Sequence, residues 1–222
     1  MPSTIVFENT PKVPIDELLH ELEYEFTDAP HDLIAHMALR TIARLCEQTN
    51  VLRRTAKITT YSNVENYLLE PPDCMDVIAV MSITEIKNNY CSGPVVRVNA
   101  PVFSCCCGDN NIYVNKNEIV FSNPSNCAEY LVNMSVKPTR NTCEVDEELL
   151  TDYLDAVISG TRATLLNMTD KPWSTSSKSP ALPMQKAQAA EKEFMLACGS
   201  IAVETMLGKQ RGAFRAKRQR AF

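Results

Sequence analysis

The segment DEELLTDYLDAVISGTRATLLNMTDKPW, residues 146–173, has the strongest helical pattern in this chain, and the other elements are organised around it. Its apolar positions recur every three or four residues, which places them on one stripe of a helix that must be buried. The stripe consists of Leu149, Leu150, Tyr153, Leu154, Val157, Ile158, Thr161, Leu165 and Leu166. Asp146 is suited to cap the start of this helix, and Pro172 cannot continue it. The pattern therefore predicts one long helix against which the other elements pack.

Two residues of this stretch are predicted to be structural anchors, Gly160 and Trp173. A glycine in a helix interior costs about 1 kcal/mol relative to alanine, so Gly160 predicts the close approach of another element. The alternative is that Gly160 is merely tolerated in the helix. Trp173 is the only tryptophan, and it follows the predicted helix end.

Helical patterns also precede and follow this stretch. Residues 14–26 predict a short helix with Pro14 at its first position, and residues 32–48 predict a second helix. Residues 182–207 predict a long helix, which Gly208 ends as a C-cap. The apolar stripe of this last helix consists of Ala187, Ala190, Phe194, Cys198, Ile201 and Met206.

Residues 56–143 have a different character, because β-branched and polar residues alternate there between Gly, Asn and Pro. This pattern predicts about five to seven strands, among them residues 111–115 and 118–121. The fold class is therefore α+β: N- and C-terminal helices form a helical bundle, with a small β module inserted between them and an extended C-terminal arm. The predicted domains are a helical bundle domain of residues 1–55 and 144–207, a β-rich module of residues 56–143 and a basic arm of residues 208–222.

Composition limits the class of protein. The chain has 222 residues and is 45% hydrophobic, which is normal for a packed globular core. No apolar run is long enough to span a bilayer, so no membrane association is expected. Nine cysteines, an odd number, are predicted to be thiols rather than a disulfide framework.

Charge is distributed unevenly along the chain. Residues 208–222 contain six Lys or Arg residues and no acidic residue. Removing six positive charges from the net charge of −5 leaves −11 on residues 1–207. An acidic body with a basic tail indicates an interaction through the tail.

No constellation of residues indicates catalysis. The histidines His20, His31 and His36 lie in the N-terminal helices, far in sequence from the cysteine cluster, and no motif supports a Cys/His pair. Glycine-rich phosphate loops are absent, since the chain has only six glycines. We therefore expect no enzymatic activity and no cofactor.

The run Cys105, Cys106 and Cys107 is the most unusual local feature. Adjacent cysteines in a strand point to opposite faces, whereas zinc ligands are usually spaced by two or more residues. Cys105 and Cys107 could share one face with Cys91 or Cys127 and hold a metal. The alternative, which we adopt, is that these residues are thiols and that no metal is bound.

The basic tail has three interpretations. Mixed Arg and Lys with two phenylalanines could bind nucleic acid through phosphate contacts and stacking. The same residues could dock on an acidic, grooved partner protein. The third interpretation is a solvated chain end without function. The interspersed aromatic residues favour a tail that becomes ordered on binding.

Two segments resemble the head-to-tail adaptor (connector) proteins of tailed bacteriophages. The segment ALRTIARLCEQTNVLRRTAKITTYSNVENYLLEPPDCMDVIAV, residues 38–80, has an Ala-Leu-Arg helix followed by a β segment with a Tyr-x-Leu-x-x-Pro turn. The segment GTRATLLNMTDKPWS, residues 160–174, has a Gly-x-x-x-x-Leu-Leu helix followed by Lys-Pro-Trp. Phe194 and the arginine-rich end complete the order of features. The cysteine-rich β insert and the Ser/Pro loop at residues 174–180 depart from the family pattern.

The resemblance implies a structural virion protein that forms a homo-oligomeric ring, with twelve subunits as the implied number. The ring would dock on the portal protein, extend the DNA channel and provide the attachment platform for a tail nozzle or tube protein. Double-stranded DNA would pass through the lumen without specific binding. The protein would be located at the head-to-tail interface of the virion, after assembly in the host cytoplasm.

The resemblance also implies a role for the C-terminal segment, which reaches the portal in this family. Acidic walls would let DNA slide, and a basic, aromatic tail would anchor in the neighbouring ring. The expected portal-docking residues are Arg211, Phe214, Arg215, Lys217, Arg218, Arg220 and Phe222. The free subunit is expected to be a monomer with a disordered arm. The alternative function is a nucleic-acid-binding protein that uses the same basic tail.

Overall fold

The computed structural model describes residues 11–71, 74–87, 90–91, 96–97, 112–115, 117–122, 124, 127–168, 171–174 and 181–218. In chain order, its strands and helices are β1 (Lys12–Pro14), α1 (Asp16–Glu25), α2 (His31–Thr49), β2 (Arg53–Thr59), β3 (Asn66–Leu68), β4 (Met75–Lys87), β5 (Tyr90–Cys91), β6 (Val96–Arg97), β7 (Ile112–Asn115), β8 (Glu118–Phe121), β9 (Glu129–Pro138), β10 (Glu144–Asp146), α3 (Glu147–Thr151), α4 (Leu154–Leu166) and α5 (Ala181–Arg218). A 3-10 turn, Pro172–Ser174, lies between α4 and α5. The chain is therefore α+β.

The described residues fall into two compact units. Residues 52–137 form one unit, which contains β2 to β9. Residues 11–51 and 138–218 form the other unit, which contains all five helices and the short antiparallel pair of β1 with β10. The helical unit is thus assembled from the two chain segments that precede and follow the β unit in the sequence.

In the helical unit, α4 is the central element. It packs against α5 and α2, α2 also packs against α5, and α1 packs against α2 and α4. The buried residues of α4 are Ala156, Val157, Ile158, Gly160, Thr161, Ala163 and Leu165. The apolar spacing of residues 154–165 is therefore explained by contacts with helices on more than one side.

The single long helix predicted for this stretch is wrong, because the helix is interrupted at Asp152 and Tyr153. Asp152 ends α3, and Tyr153 has backbone angles of φ −126° and ψ 16° before α4 begins. Both residue types have weak helix propensity, and the apolar spacing continues across the interruption, so periodicity does not detect it. Asp146 does precede the first helix in an extended conformation, but its side chain makes no capping hydrogen bond.

The two N-terminal helices lie close to their predicted positions. The prediction for residues 32–48 is confirmed by α2, whose end is marked by Asn50 in the left-handed conformation at φ 50°. The backbone N–H of Asn50 donates to the carbonyl of Cys46 at 2.8 Å. Pro14 does not start α1; it ends β1, and α1 begins at Asp16.

The predicted helix end at Gly208 is also wrong. Helix α5 continues through Gly208 to Arg218, so residues 208–218 are helical where an extended arm was expected. One glycine costs only about 1 kcal/mol in a helix, and it is flanked here by the good helix formers Met206, Leu207, Lys209 and Gln210. Residues 219–222 lie outside the described residues.

The described strands of the β unit form two sheets. The larger sheet has the strand order β2-β9-β4-β5, with β6 also paired to β4. The smaller sheet has the order β3-β8-β7, and both of its pairings are antiparallel. The strands predicted at residues 111–115 and 118–121 are confirmed by β7 and β8. The described part of this unit has eight strands, because the two-residue strands β5 and β6 add to the expected number.

Aromatic rings and one amide join the strands of the β unit. The ring of Phe121 lies 5.5 Å from Tyr67 in an edge-on geometry and 4.9 Å from Tyr130. Asn133 accepts a hydrogen bond from the Thr55 hydroxyl at 2.8 Å and donates one to the Ser82 hydroxyl at 2.9 Å. This amide therefore links β2, β9 and β4 across the larger sheet.

Candidate functional site

Three helices approach one another closely at Gly160. A Cβ atom at this position would lie 2.6 Å from Thr41 Cγ2 and 2.7 Å from Phe194 Cδ2. Neither neighbour can move easily, because Phe194 is fully buried and the Thr41 hydroxyl donates to the carbonyl of Met37 at 2.9 Å. The sequence predicted a close approach at Gly160, and these distances confirm it. Gly160 thus sets the spacing of α2, α4 and α5.

An arginine reinforces the same helix junction. Arg44 on α2 forms a two-pronged contact with the carboxylate of Glu191 on α5, in which Nη1 donates to Oε2 at 3.2 Å and Nη2 donates to Oε1. Its guanidinium also lies 4.8 Å from the centroid of the Phe194 ring. Glu191 raises the pKa of Arg44. The side chains of Arg44 and Glu191 are partly exposed. Solvent therefore screens this ion pair and limits its contribution to the stability of the fold.

Two further contacts attach α1 to its neighbours. Arg162 on α4 donates from Nε to Oε2 of Glu25 at 2.7 Å. His31, at the start of α2, contacts the carboxylate of Glu23 and lies 3.4 Å from that of Asp16. The hydrogen bond with Glu23 raises the pKa of His31. Protonation of His31 therefore strengthens the attachment of α1 to α2.

Trp173 is part of the 3-10 turn that follows α4, and the turn packs against α4. The indole is half-buried, and its N–H group is buried without a hydrogen-bond partner among the described residues. A half-buried indole in a turn that packs against α4 is consistent with an anchor of the chain. Its role as a structural anchor remains a prediction.

The cysteines divide into buried and exposed thiols. Cys46 and Cys198 are buried, whereas Cys74, Cys127 and Cys143 are exposed, and all five are thiols as predicted. Burial raises the pKa of the Cys198 thiol, which lowers its reactivity at neutral pH. The predictions about Cys105, Cys106 and Cys107 lie outside the described residues. Within the described ranges, no group of three His, Cys, Asp or Glu side chains could hold a metal ion.

The surface around α3 is strongly acidic. An open cavity of about 360 Å³ is lined by Pro11, Asp146, Glu147, Glu148, Thr151 and Asp152. Three of these carboxylates, Glu147, Glu148 and Asp152, are exposed and repel anionic ligands such as phosphate groups.

The expected portal-docking residues belong partly to the described chain. The backbone of Arg211, Phe214, Arg215, Lys217 and Arg218 lies on the last turns of α5, and Arg220 and Phe222 lie outside the described residues. The five described positions therefore follow one another along a helix and not along an extended segment.

Sequence reasoning missed an exposed apolar stripe on α5. Met206 was assigned to the buried face, but it is exposed, together with Met195, Leu196, Val203 and Leu207. The sequence does contain apolar residues on two sides of α5. Such a helix has a second apolar face that its own subunit need not cover. We call Met195, Leu196, Val203, Met206 and Leu207 the outer stripe of α5.

In the part of the chain that the structure describes, no helix combines the length and the apolar character that crossing a membrane requires. Comparison with protein-family models and with curated proteins found no match to this chain.

Proposed function

We propose that this chain is a head-to-tail adaptor of a tailed bacteriophage, a structural virion protein that docks on the portal ring. It extends the DNA channel and provides the platform to which a tail nozzle or tube protein attaches. The observation that carries the proposal is the separation of charge along the chain: residues 1–207 carry −11, and residues 208–222 carry six cations without an acidic residue.

The motif that resembles the adaptor family lies at the centre of the helical unit. Its glycine, Gly160, lies where α2 and α5 approach α4 closely, and its Leu165 is buried. Pro172 and Trp173 of its Lys-Pro-Trp end lie in the 3-10 turn that packs against α4. These contacts support a helical bundle in which the motif has a structural and not a catalytic role.

The acidic body supports a channel through which DNA slides. Phosphates bind proteins mainly through Lys and Arg, and a wall with excess carboxylates offers few such contacts. The acidic cavity beside α3 is an example of such a surface. Duplex DNA would therefore pass along the wall without specific binding.

The basic end of α5 supports docking on a second protein. Arg and aromatic residues supply much of the binding energy at protein interfaces. Five of the seven docking residues lie on the helix as far as Arg218, so this part of the arm is presented along a helix axis. The subunit docks on the portal and forms a ring, with twelve as the proposed number, through two different surfaces of each subunit. It functions in the virion, with no enzymatic activity and no cofactor.

The alternative is a nucleic-acid-binding protein, which the cations of residues 208–222 favour. Six cations predict that the logarithm of DNA affinity falls with the logarithm of salt concentration with a slope no steeper than about −5. Deletion of residues 208–222 would then abolish DNA binding.

The test is co-assembly with a purified portal ring of a tailed bacteriophage, examined by electron microscopy. We expect a twelve-fold ring on the portal with the full chain and none after deletion of residues 208–222. A double variant, Arg211→Gln with Arg215→Gln, is expected to weaken docking. The control variant, Lys186→Gln with Lys192→Gln, also removes two positive charges from α5, at exposed positions, and is expected to dock normally.

Two results would contradict the proposal. The first is a full-length protein that ignores portal rings and binds duplex DNA tightly at low salt. The second concerns the free subunit, which we propose is monomeric: a stable ring of the purified protein alone, seen by light scattering, refutes assembly on the portal.

A further inference from the structure

Helix α5 has two apolar faces, and other helices of the subunit cover one of them. The covered face contains Phe194, Cys198 and Ile201, which are buried. The outer stripe lies about 160° around the helix from this face, at 100° per residue. Its most exposed members are Met206 at 72% and Leu196 at 65%. Contiguous exposed apolar residues of this kind mark interaction sites.

The centre of the outer face has the spacing at which two helices pack along each other. Six exposed positions follow one another at alternating intervals of three and four residues. This is the heptad spacing of a coiled coil, which keeps one line of residues facing the partner helix. We call these positions the seam: Ala189, Lys192, Leu196, Gly199, Val203 and Met206.

Large and small residues are placed along the seam so that an antiparallel copy of it fits. When Leu196 lies opposite Gly199 of the other copy, Met206 lies opposite Ala189 of that copy. A Cβ atom at Gly199 would meet no other atom within 4 Å, so the depression that receives Leu196 is open. Side chains that insert beside small residues let two helices approach closely. Each of these contacts occurs twice, because the pair has two-fold symmetry.

The charges of the seam fit the same alignment. Val203 lies opposite Lys192 of the other copy, and the aliphatic part of that lysine covers the valine. The ammonium group of the lysine then reaches Glu204, the residue that follows Val203. Lys192 and Glu204 are both exposed, and neither forms an ion pair with another residue of the described part of the subunit. Opposite charges therefore meet twice in the antiparallel pair.

The basic end of α5 disfavours a parallel pair. Residues 209–218 contain five Lys or Arg residues and no acidic residue. Two parallel copies would place these segments side by side and would also bring the two Lys192 residues together, and like charges repel. Antiparallel copies place the basic segments at opposite ends of the pair. The direction of the pair therefore follows from the order of charges along the helix.

We propose that the seam of α5 packs against the seam of a second copy of this chain, in an antiparallel two-fold pair. The inference goes beyond the proposed function and does not depend on it. A two-fold contact ends at two copies, so it is separate from the contacts that join neighbours in a ring. The seam is one face of one helix, and contacts that bury less than about 1,200 Å² are weak. The pair therefore dissociates on dilution, and the dilute free subunit is a monomer.

The test is sedimentation equilibrium of the full-length protein under reducing conditions. Protein concentrations extend up to about 1 mM, at which a contact with a millimolar dissociation constant is populated. We expect the average mass to rise with concentration from that of one copy toward that of two copies, and to stop there. A mass of one copy at every concentration overturns the inference, and so does growth beyond two copies.

A matched pair of variants tests the role of the seam. Leu196→Gln removes the apolar side chain that lies opposite Gly199, and each pair contains the change twice, so we expect the dissociation constant to rise at least about tenfold. Leu196 is 65% exposed and glutamine favours a helix, so the subunit stays folded. Leu68→Gln makes the same change at a leucine of β3 that is 56% exposed, and it leaves the dissociation constant unchanged. An unchanged dissociation constant in Leu196→Gln, or an equal rise in both variants, overturns the inference.

Carbodiimide cross-linking tests the direction of the pair, because this reagent joins an amine to a carboxylate only where the two groups touch. Lys192 and Glu204 lie about 18 Å apart along the axis of one helix, so a link between them arises only from two copies. We expect this link at concentrations where the mass shows pairs, and we expect Leu196→Gln to lose it at the same concentration. Pairs that form without this link overturn the antiparallel alignment.

Discussion

Replacing Gly160 with alanine provides the sharpest test of the helical unit. In an open helix this change stabilises a protein by about 1 kcal/mol, because alanine has the higher helix propensity. At Gly160 the new methyl group would lie 2.6 Å from Thr41 Cγ2 and 2.7 Å from Phe194 Cδ2. Overpacking of a core costs about 1–3 kcal/mol. Two such contacts with restrained side chains favour the upper half of this range, so we expect Gly160→Ala to lower the free energy of unfolding by about 1–2 kcal/mol.

The assay is urea unfolding followed by the fluorescence of Trp173, the only tryptophan, which belongs to the helical unit. With a urea dependence of about 2 kcal/mol/M, the expected loss moves the midpoint down by roughly 0.5–1 M. Gly199→Ala is the matched control, because a Cβ atom at this helical position meets no other atom within 4 Å. This control should be more stable than the wild type by up to about 1 kcal/mol. If the two variants shift the midpoint in the same direction, the close approach at Gly160 does not set the helix spacing.

Three further predictions concern single contacts. Truncating Arg44 and Glu191 to alanine in a double-mutant cycle should give a coupling free energy of about 0.5–1 kcal/mol that decreases as salt is added, and a coupling that ignores salt contradicts an ion pair. The raised pKa of His31 predicts a stabilisation that is fully present below its unfolded-state pKa and is lost as pH rises through the higher folded-state pKa. His31→Gln should therefore remove part of the loss of urea midpoint between about pH 5 and 8, and an unchanged pH dependence contradicts a stabilising contact of His31. Asn133→Ala should destabilise the β unit by about 1–3 kcal/mol, measured by circular dichroism, because two hydroxyl groups on neighbouring strands lose their partner, and an unchanged midpoint refutes that role.

The elements that were predicted well are marked by residues that lie close together in the sequence. Helix α2 begins and ends within one residue of the predicted bounds, and β7 and β8 lie where alternating residues placed them. The wrong helix bounds arise where a rule about single residues or apolar spacing was applied without exception. Gly208 was expected to end α5, but one glycine among good helix formers does not stop a helix. The interruption at Tyr153 was missed because the apolar spacing continues through it.

The surfaces of α5 were also predicted only in part. The sequence alone shows that the basic residues are collected after position 207, since charge can be counted without a structure. Met206 was assigned to the buried face of α5, but it lies five residues after Ile201, about 140° around the helix, and is exposed. Which of two apolar faces is covered depends on where α4 and α2 lie, and helical spacing does not contain that information.

Four properties of this protein were evident without a structure: the α+β class, the order of its helical and β segments, a glycine inside a helix and the separation of charge. These properties depend on local propensity, periodicity and composition, each of which can be read from neighbouring residues. The packed helices were needed to show that Thr41 and Phe194 crowd Gly160, and that Arg44 meets Glu191 across 147 positions of the sequence. Such contacts join segments that lie far apart in the chain, so they exist only once the helices have packed.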